Sequence, residues 1–477
     1  MTKLQTLCTC LAAGIALSAC KKDRKTGDPG TANQNKYVND WIYKNMKEVY
    51  YWTGNIPAST DRTVSPPEFF SSLLKRPEDR YSWIQDNFEE LLASLSGVSQ
   101  ESGIDYDLFL VGSNPYYLAG IVEYVKKGSP AEAAGIMRGD VFADINGQPV
   151  RYTGLQSEVN RFVDALSKPH SLGIRKVVTG SDGKDSLTDA RAVQLSVVEL
   201  AENPLYLDSV YTIEGKKIGY FVYNFFAPDK GDNTHAYDNQ VDAVFGRFKS
   251  AGVQHLILDL RYNPGGDSRS TINLGSNIVK GLDPNKTFFY RKFNDAYRDA
   301  LIKAYGESIV TSKFTNEANN IGNQLTNFIV LTSSGTASAS ELIINGLRPY
   351  MEVYLMGDTT VGKNLGSISI YEENDRNNKW GMQPIVSQAF NSADQSDYTG
   401  GFRPLPQDVY QEGLRLGTLG DIHEPLLSKA LTRVLGHAPA GRKASPEGYR
   451  TVIDKIGTSR SFKAYSGHFI DPLPKRN

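Results

Sequence analysis

Apolar and polar positions change rhythm several times along the chain, and each change marks an element. Behind the positive Lys3, an apolar run from Leu7 to Leu17, broken by Thr9, ends in Leu17-Ser18-Ala19-Cys20. A run this short, closed by small residues, predicts a secretory signal over residues 1–19 and not a spanning helix. Residues 20–36 are rich in Lys, Asp, Gly, Asn and Thr and predict a flexible tether. From Tyr37 onward Val38, Trp41, Ile42, Met46 and Val49 recur at spacings of three and four, the period of a helix with one buried face. Ser65-Pro66-Pro67-Glu68 opens a second helix, with Ser at the cap and Pro in the first turn. Residues 37–100 therefore form a small helical N-terminal domain with no chemistry of its own.

Over residues 101–205 short strand-like runs alternate with glycine turns. Gly120 to Val125 predicts a strand, and Ser129-Pro130 to Gly135 a short capped helix. Gly139 to Gly147 predicts a further strand closed by an Asn-Gly turn. Between residues 206 and 436 apolar strands at Ile218–Phe226, Leu256–Leu260, Phe328–Leu331 and Val353–Met356 alternate with helical stretches such as Asp242–Lys249. That alternation predicts a mostly parallel sheet. Residues 437–477 are polar with scattered apolar positions, a C-terminal extension with no predicted element.

Composition narrows the classes. The 477 residues carry a net charge of -1, with 40% hydrophobic and 22% charged, so no field favours nucleic acid. Of three cysteines, Cys8 and Cys10 fall in the signal, and Cys20 alone remains. This excludes an intramolecular disulfide, a cysteine nucleophile in the folded body and a Cys-based metal site. The six histidines are His170, His235, His255, His423, His437 and His468, and none stands in an H-E-x-x-H or triad frame. His423, in Asp421-Ile422-His423-Glu424, is expected to cap the helix that follows.

Three segments share one design, a short apolar strand running into an unusual loop. They are His255–Leu260 before Asn263-Pro264-Gly265-Gly266, Phe328–Leu331 before Ser338-Ala339-Ser340-Glu341, and Val353–Met356 before Gly357 to Lys363. Loops after adjacent parallel strands leave by one sheet edge, where α/β sites form. Strands lie about 5 Å apart, so such loops converge without sequence proximity. Taken alone, Ser338 with Glu341 fits a capping box, and Asn-Pro-Gly-Gly fits a tight turn. Lys363, flanked by Gly362, Asn364 and Leu365, has no acidic neighbour closer than Asp358.

In combination these segments resemble the C-terminal processing (tail-specific) protease family. Its Gly-x-Ala-Ser-Ala-Ser-Glu motif stands here as Gly335 to Glu341, its Gly-Lys dipeptide as Gly362-Lys363, 25 positions beyond Ser338, and its Asn-Pro-Gly-Gly loop is present. The segment Gly128–Val150 resembles a PDZ domain, whose carboxylate-holding loop is expected near Gly103 to Asp107. Leu17 to Cys20 looks like a bacterial lipobox with Cys20 lipidated.

The resemblance implies a crotonase-like (ClpP/crotonase-type) α/β catalytic domain behind a PDZ domain. It implies Ser338 as nucleophile and Lys363 as base, with backbone amides of Gly265, Gly266 and Ala339 at the oxyanion. Ser367 stands where the family often has a lysine-orienting Gln or Glu. A lysine works as base only when neutral, and at pH 7 about one free lysine in 2,500 is. Burial without a carboxylate partner lowers its pKa. The expected protein is a serine endopeptidase of exported proteins, lipid-anchored in the cell envelope. It takes a protein or peptide substrate through the PDZ and needs no cofactor, metal or nucleic acid. The rivals are a PDZ-bearing peptide binder or apolar-ligand binder with a silent dyad, and an ester hydrolase.

Overall fold

The computed structural model describes residues 29–112, 115–181, 185–440, 455–461 and 469–470. The predicted signal and Cys20 lie outside the described residues, as does His468.

The first helix runs Pro29–Val49, so it takes in half of the segment predicted as tether. Contacts that periodicity does not reveal hold its polar start: Gln34 Nε2 donates to the Asn377 carbonyl at 2.6 Å and Tyr37 Oη to Asp375 at 2.8 Å. The second helix, Pro66–Ser72, begins on Pro66, but the Ser65 side chain makes no cap bond. These helices pack on the later part of the chain. Ile42, Met46 and Tyr50 share one core with Leu365, Met382 and Ile385, and the strand Trp83–Gln85 pairs with Gly381–Gln383.

The PDZ sheet has the strand order Arg191–Leu195, His170–Arg175, Val141–Ile145, Gln148–Tyr152, Tyr116–Val125, Ile104–Val111, Lys455–Thr458. Helix Gln156–Leu166 packs Val159 and Phe162 into a core with Phe142 and Leu172. Ser129 caps the short helix Pro130–Ala133 by accepting from the Glu132 amide, as its sequence predicts. Residues 104–107, expected as a loop, are strand, and the turn before them sits at Ser102-Gly103.

Residues 205–357 carry a five-stranded sheet ordered Leu205–Ile213, Lys216–Tyr223, His255–Asp259, Asn327–Thr332, Tyr354–Gly357. Its first pair is antiparallel and the others are parallel. Successive side chains of a strand point to opposite faces, and here both faces are covered. Leu256, Leu258, Phe328 and Val330 meet helices Ala236–Ala251, Ser268–Ile278 and Ala339–Leu347. Ile257, Ile329, Leu331 and Met356 meet helix Pro425–Leu435. Glu424, and not His423, caps that last helix, accepting from the Leu427 amide at 2.8 Å. The architecture is α/β, as expected.

The C-terminal extension holds two strands that the sequence did not announce. Lys455–Thr458 lies on the PDZ edge, and Phe469–Ile470 stands between Gly266–Asp267 and Leu365–Ser367 in a second sheet. Among the described residues, no helix is long and apolar enough to cross a membrane.

Candidate active site

Strand Asn327–Thr332 ends in a loop that delivers Ser338 to the start of helix Ala339–Leu347. Ser338 has φ 61° and ψ −112°. A side-chain-bearing residue rarely holds a positive φ, and such strain persists only where surrounding structure enforces it. Its hydroxyl is buried and has no hydrogen-bond partner among the described residues. Only half of the predicted capping box is therefore made: Glu341 reaches back to the Ser338 amide, while the Ser338 hydroxyl is left unused.

Glu341 does much more than cap. It is fully buried, and its Oε2 accepts from the amides of both Ser338 and Lys363, each at 2.8 Å. Its Oε1 accepts from the Gly362 amide at 2.7 Å and the Thr360 hydroxyl at 2.5 Å. One carboxylate thus joins the loop bearing the serine to the loop bearing the lysine. Burial raises its pKa, and the four donors oppose that. Gly362 has no room for a side chain, because a Cβ there would stand 2.3 Å from the Thr399 carbonyl oxygen.

Lys363 is 1% exposed, and its amine has no hydrogen-bond partner among the described residues. The Nζ lies 5.0 Å from the centre of the Tyr81 ring. Burial lowers its pKa to about 7, against the opposing pull of the Asp79 and Glu341 charges. Asp79 is itself fully buried and accepts from Tyr50 Oη at 2.7 Å, Ser82 Oγ at 2.6 Å and two backbone amides. Of the two acids that act on the lysine, Asp79 comes from the N-terminal region. Asp358, the local suspect, is occupied with Gln411. Nothing near Asp79 or Tyr81 in the sequence points to this role. Glu341 could have been found by asking what else an acid in S-x-x-E touches once its helix is buried.

Ser367 makes no hydrogen bond to the lysine, since the Lys363 amine has no such partner among the described residues. Its place is in strand Leu365–Ser367, opposite Ile385 on one side and Ile470 on the other. The oxyanion candidates divide. Ala339 is the first helical residue, so its amide has no partner within its own helix. The Gly265 amide donates to Asn263 Oδ1 at 2.9 Å and is not free in this structure, a correction to its expected role. Gly266 approaches Phe226 so closely, at φ 137°, that a Cβ would stand 2.0 Å from the Phe226 oxygen. Asn263 ties this loop to the serine loop, its carbonyl accepting from the Ala337 amide at 3.2 Å and from Ser340 Oγ at 3.0 Å. Arg261, buried between Asp259 and Glu424, anchors the start of the loop.

A cleft of about 650 Å³ lies beside the serine loop, lined by Tyr81, Trp83, Tyr262, Pro264, Ala337 and Val361; Ser338 and Lys363 sit behind it and are not among its lining residues. A larger cavity of about 830 Å³ lies beside the PDZ strand Ile104–Val111 and is not part of this site. Among the described residues, no cluster of three or more His, Cys, Asp or Glu side chains has the arrangement of a metal site.

Comparison with known proteins agrees with this geometry. Peptidase family S41 matches residues 217–400, its N-terminal domain residues 37–83, and a PDZ domain residues 121–176. In these matches the chain resembles the C-terminal processing proteases of family S41. A carboxyl-terminal-processing protease of Picosynechococcus is 27% identical to this chain over 240 residues, 50% of the chain and 49% of the relative. A probable CtpA-like serine protease of Staphylococcus aureus is 26% identical over 334 residues, 70% of the chain and 57% of the relative. The chain thus spans about half the length of the curated relatives it matches. A solved structure of a putative S41 protease from Bacteroides fragilis superposes with a TM-score of 0.69 at 25% identity, over 83% of this chain and 97% of that one.

Proposed function

We propose that this chain is a serine endopeptidase of the C-terminal processing type, with Ser338 as nucleophile and Lys363 as general base. The observation that carries this is the buried Lys363: among the described residues its amine makes no hydrogen bond, burial lowers its pKa to about 7, and its backbone amide shares one Glu341 oxygen with the Ser338 amide. A neutral amine there takes the Ser338 proton as the oxygen attacks a peptide carbonyl. The oxyanion forms against the Ala339 amide at the helix N-terminus, with the Gly265-Gly266 loop beside it. The ammonium then protonates the leaving amine, and water admitted through the cleft releases the acyl group from Ser338. The N-terminal Asp79 and Tyr81 shape the lysine's surroundings, and the PDZ delivers an extended chain.

The test is cleavage of an unfolded reporter protein by the parent, Ser338→Ala and Lys363→Ala. Cleavage by the parent and its loss in both variants, with folding intact, is the expected result; cleavage that survives in Lys363→Ala sinks the dyad. We further propose that Cys20 carries a lipid that anchors the chain to the cell envelope. Incorporation of a labelled fatty acid, lost in Cys20→Ala, is the expected outcome.

A further inference from the structure

We propose that the PDZ edge strand Ile104–Val111 is a docking site for extended chain segments bearing two basic side chains. Its resident ligand is the chain's own Lys455–Ser461, which an incoming substrate displaces. This rests on the peptidase reading only for the identity of the competitor.

Lys455–Thr458 adds to the free edge of Ile104–Val111 in antiparallel register, with Lys455 opposite Phe109 and Thr458 opposite Asp107. The Ser459 amide extends the ladder by donating to the Tyr106 carbonyl at 2.7 Å. Ile456 packs on the PDZ core. Strand addition of this kind is how a sheet edge captures a peptide, with backbone bonds supplying affinity and side-chain pockets supplying specificity.

The pockets here are acidic and buried. Lys455 Nζ lies 2.7 Å from Asp107, beside buried Glu123. Arg460 meets Glu202 at 3.1 Å, Asp105 at 3.4 Å, the Asn224 carbonyl at 3.0 Å and the Tyr124 hydroxyl. Ser459 Oγ donates to Asp105 at 2.5 Å. Arg460 shares Asp105 and Glu202 with Lys126, which also meets Glu101. Breaking a buried ion pair by removing one partner is costly. The edge is therefore built for an arginine or lysine at each of these two positions.

The segment also stands in the substrate's path. Lys455–Thr458, Arg460 and Ser461 wall the catalytic cleft opposite Pro264, Ala337 and Val361. Further along the tail, Phe469 and Ile470 pair in parallel with Gly266 and Asp267, and Ile470 also with Ser367. An apolar cavity lined by Ile104, Tyr106, Val163 and Leu166 borders Ser459 and is open to a ligand that follows the edge beyond it.

The first arm of the test is hydrogen exchange on the unaltered full chain. Because a displaceable ligand opens without unfolding the PDZ, amides of Ile456–Ser459 should exchange about tenfold or more faster than those of Leu118–Val122. Equal protection overturns the proposal. The second arm adds a synthetic peptide of residues 455–461 to the Arg460→Ala chain. Binding is expected, weakened about tenfold or more when the peptide's arginine is alanine, as loss of a desolvated charge pair requires. Reporter cleavage by Arg460→Ala should exceed the parent's and fall again on adding the native-sequence peptide. No binding by a folded Arg460→Ala chain overturns the proposal. If that variant fails to fold, the exchange result on the unaltered chain decides. A chain that binds the peptide yet cleaves nothing would defeat the serine–lysine assignment and leave the docking site standing.

Discussion

On the proposed mechanism, Lys363 sets how cleavage follows pH. Burial holds its pKa at about 7, and only the neutral amine accepts the Ser338 proton. The cleavage rate should therefore be half-maximal near pH 7 and fall about tenfold per unit below it, read from initial rates across a buffer series. The same shift acts on stability. The unfolded lysine keeps its proton up to about pH 10.4, so between the two values the unfolded state binds more protons and stability rises with pH. Lys363→Met should thus stabilise the fold most at pH 6, with the gain shrinking towards pH 10 in urea titrations. The serine and lysine loops were legible in the sequence because the motif spacing carries them, and Glu341 joins them in the structure. The reach of Ser367 was not legible, because a motif position says nothing of distance, and among the described residues the Lys363 amine makes no hydrogen bond.

At the scale of elements, two loops meet through one side chain. Glu341→Gln replaces a carboxylate that accepts four hydrogen bonds with an amide whose NH₂ faces N–H donors. Each buried donor left unpaired costs about 1–3 kcal/mol. We expect a loss of about 3 kcal/mol or more in chemical unfolding, and cleavage reduced more than reporter binding, measured as kcat against KM. The strands and the parallel sheet were readable because alternating apolar runs leave a strong trace. The N-terminal contribution was not, because a helix with a regular apolar stripe gives no sign of which neighbour it covers. Asp79 shows this: its charge raises the pKa of a lysine almost three hundred residues away in sequence. Asp79→Asn removes that support for the ammonium and should move the midpoint of the pH–rate profile to lower pH. An unchanged midpoint would separate Asp79 from the base.

At the scale of the molecule, the PDZ is fastened to the catalytic region through Arg138. Its Nε donates to the Gly417 carbonyl at 2.6 Å, one Nη reaches Glu412 at 2.5 Å, and the guanidinium lies over the Tyr262 ring. Burial alone would raise Glu412, but Arg138 and Arg261 together bring its carboxyl down to about 2. A depressed carboxyl contributes stability at neutral pH that is lost as pH falls from the unfolded value through the folded one. Arg138→Ala breaks a buried ion pair and should cost about 3 kcal/mol at pH 7. It should also blunt the loss of stability between about pH 4 and pH 2 and speed proteolytic nicking between PDZ and sheet. The PDZ segment itself announced its strands and its helix caps, whereas the tail strand on its edge did not. A four-residue strand with one apolar side chain facing the core has too little pattern to read.

The floor beneath Lys363 has a consequence for how this chain comes into being. Tyr81 and Asp79 belong to the part of the chain that is made early, while the lysine they surround is made late. On the proposed mechanism, an amine not yet covered by the Tyr81 ring would stay in water and keep its proton. The working pair would then be complete only once these two stretches, far apart in order of synthesis, have come together.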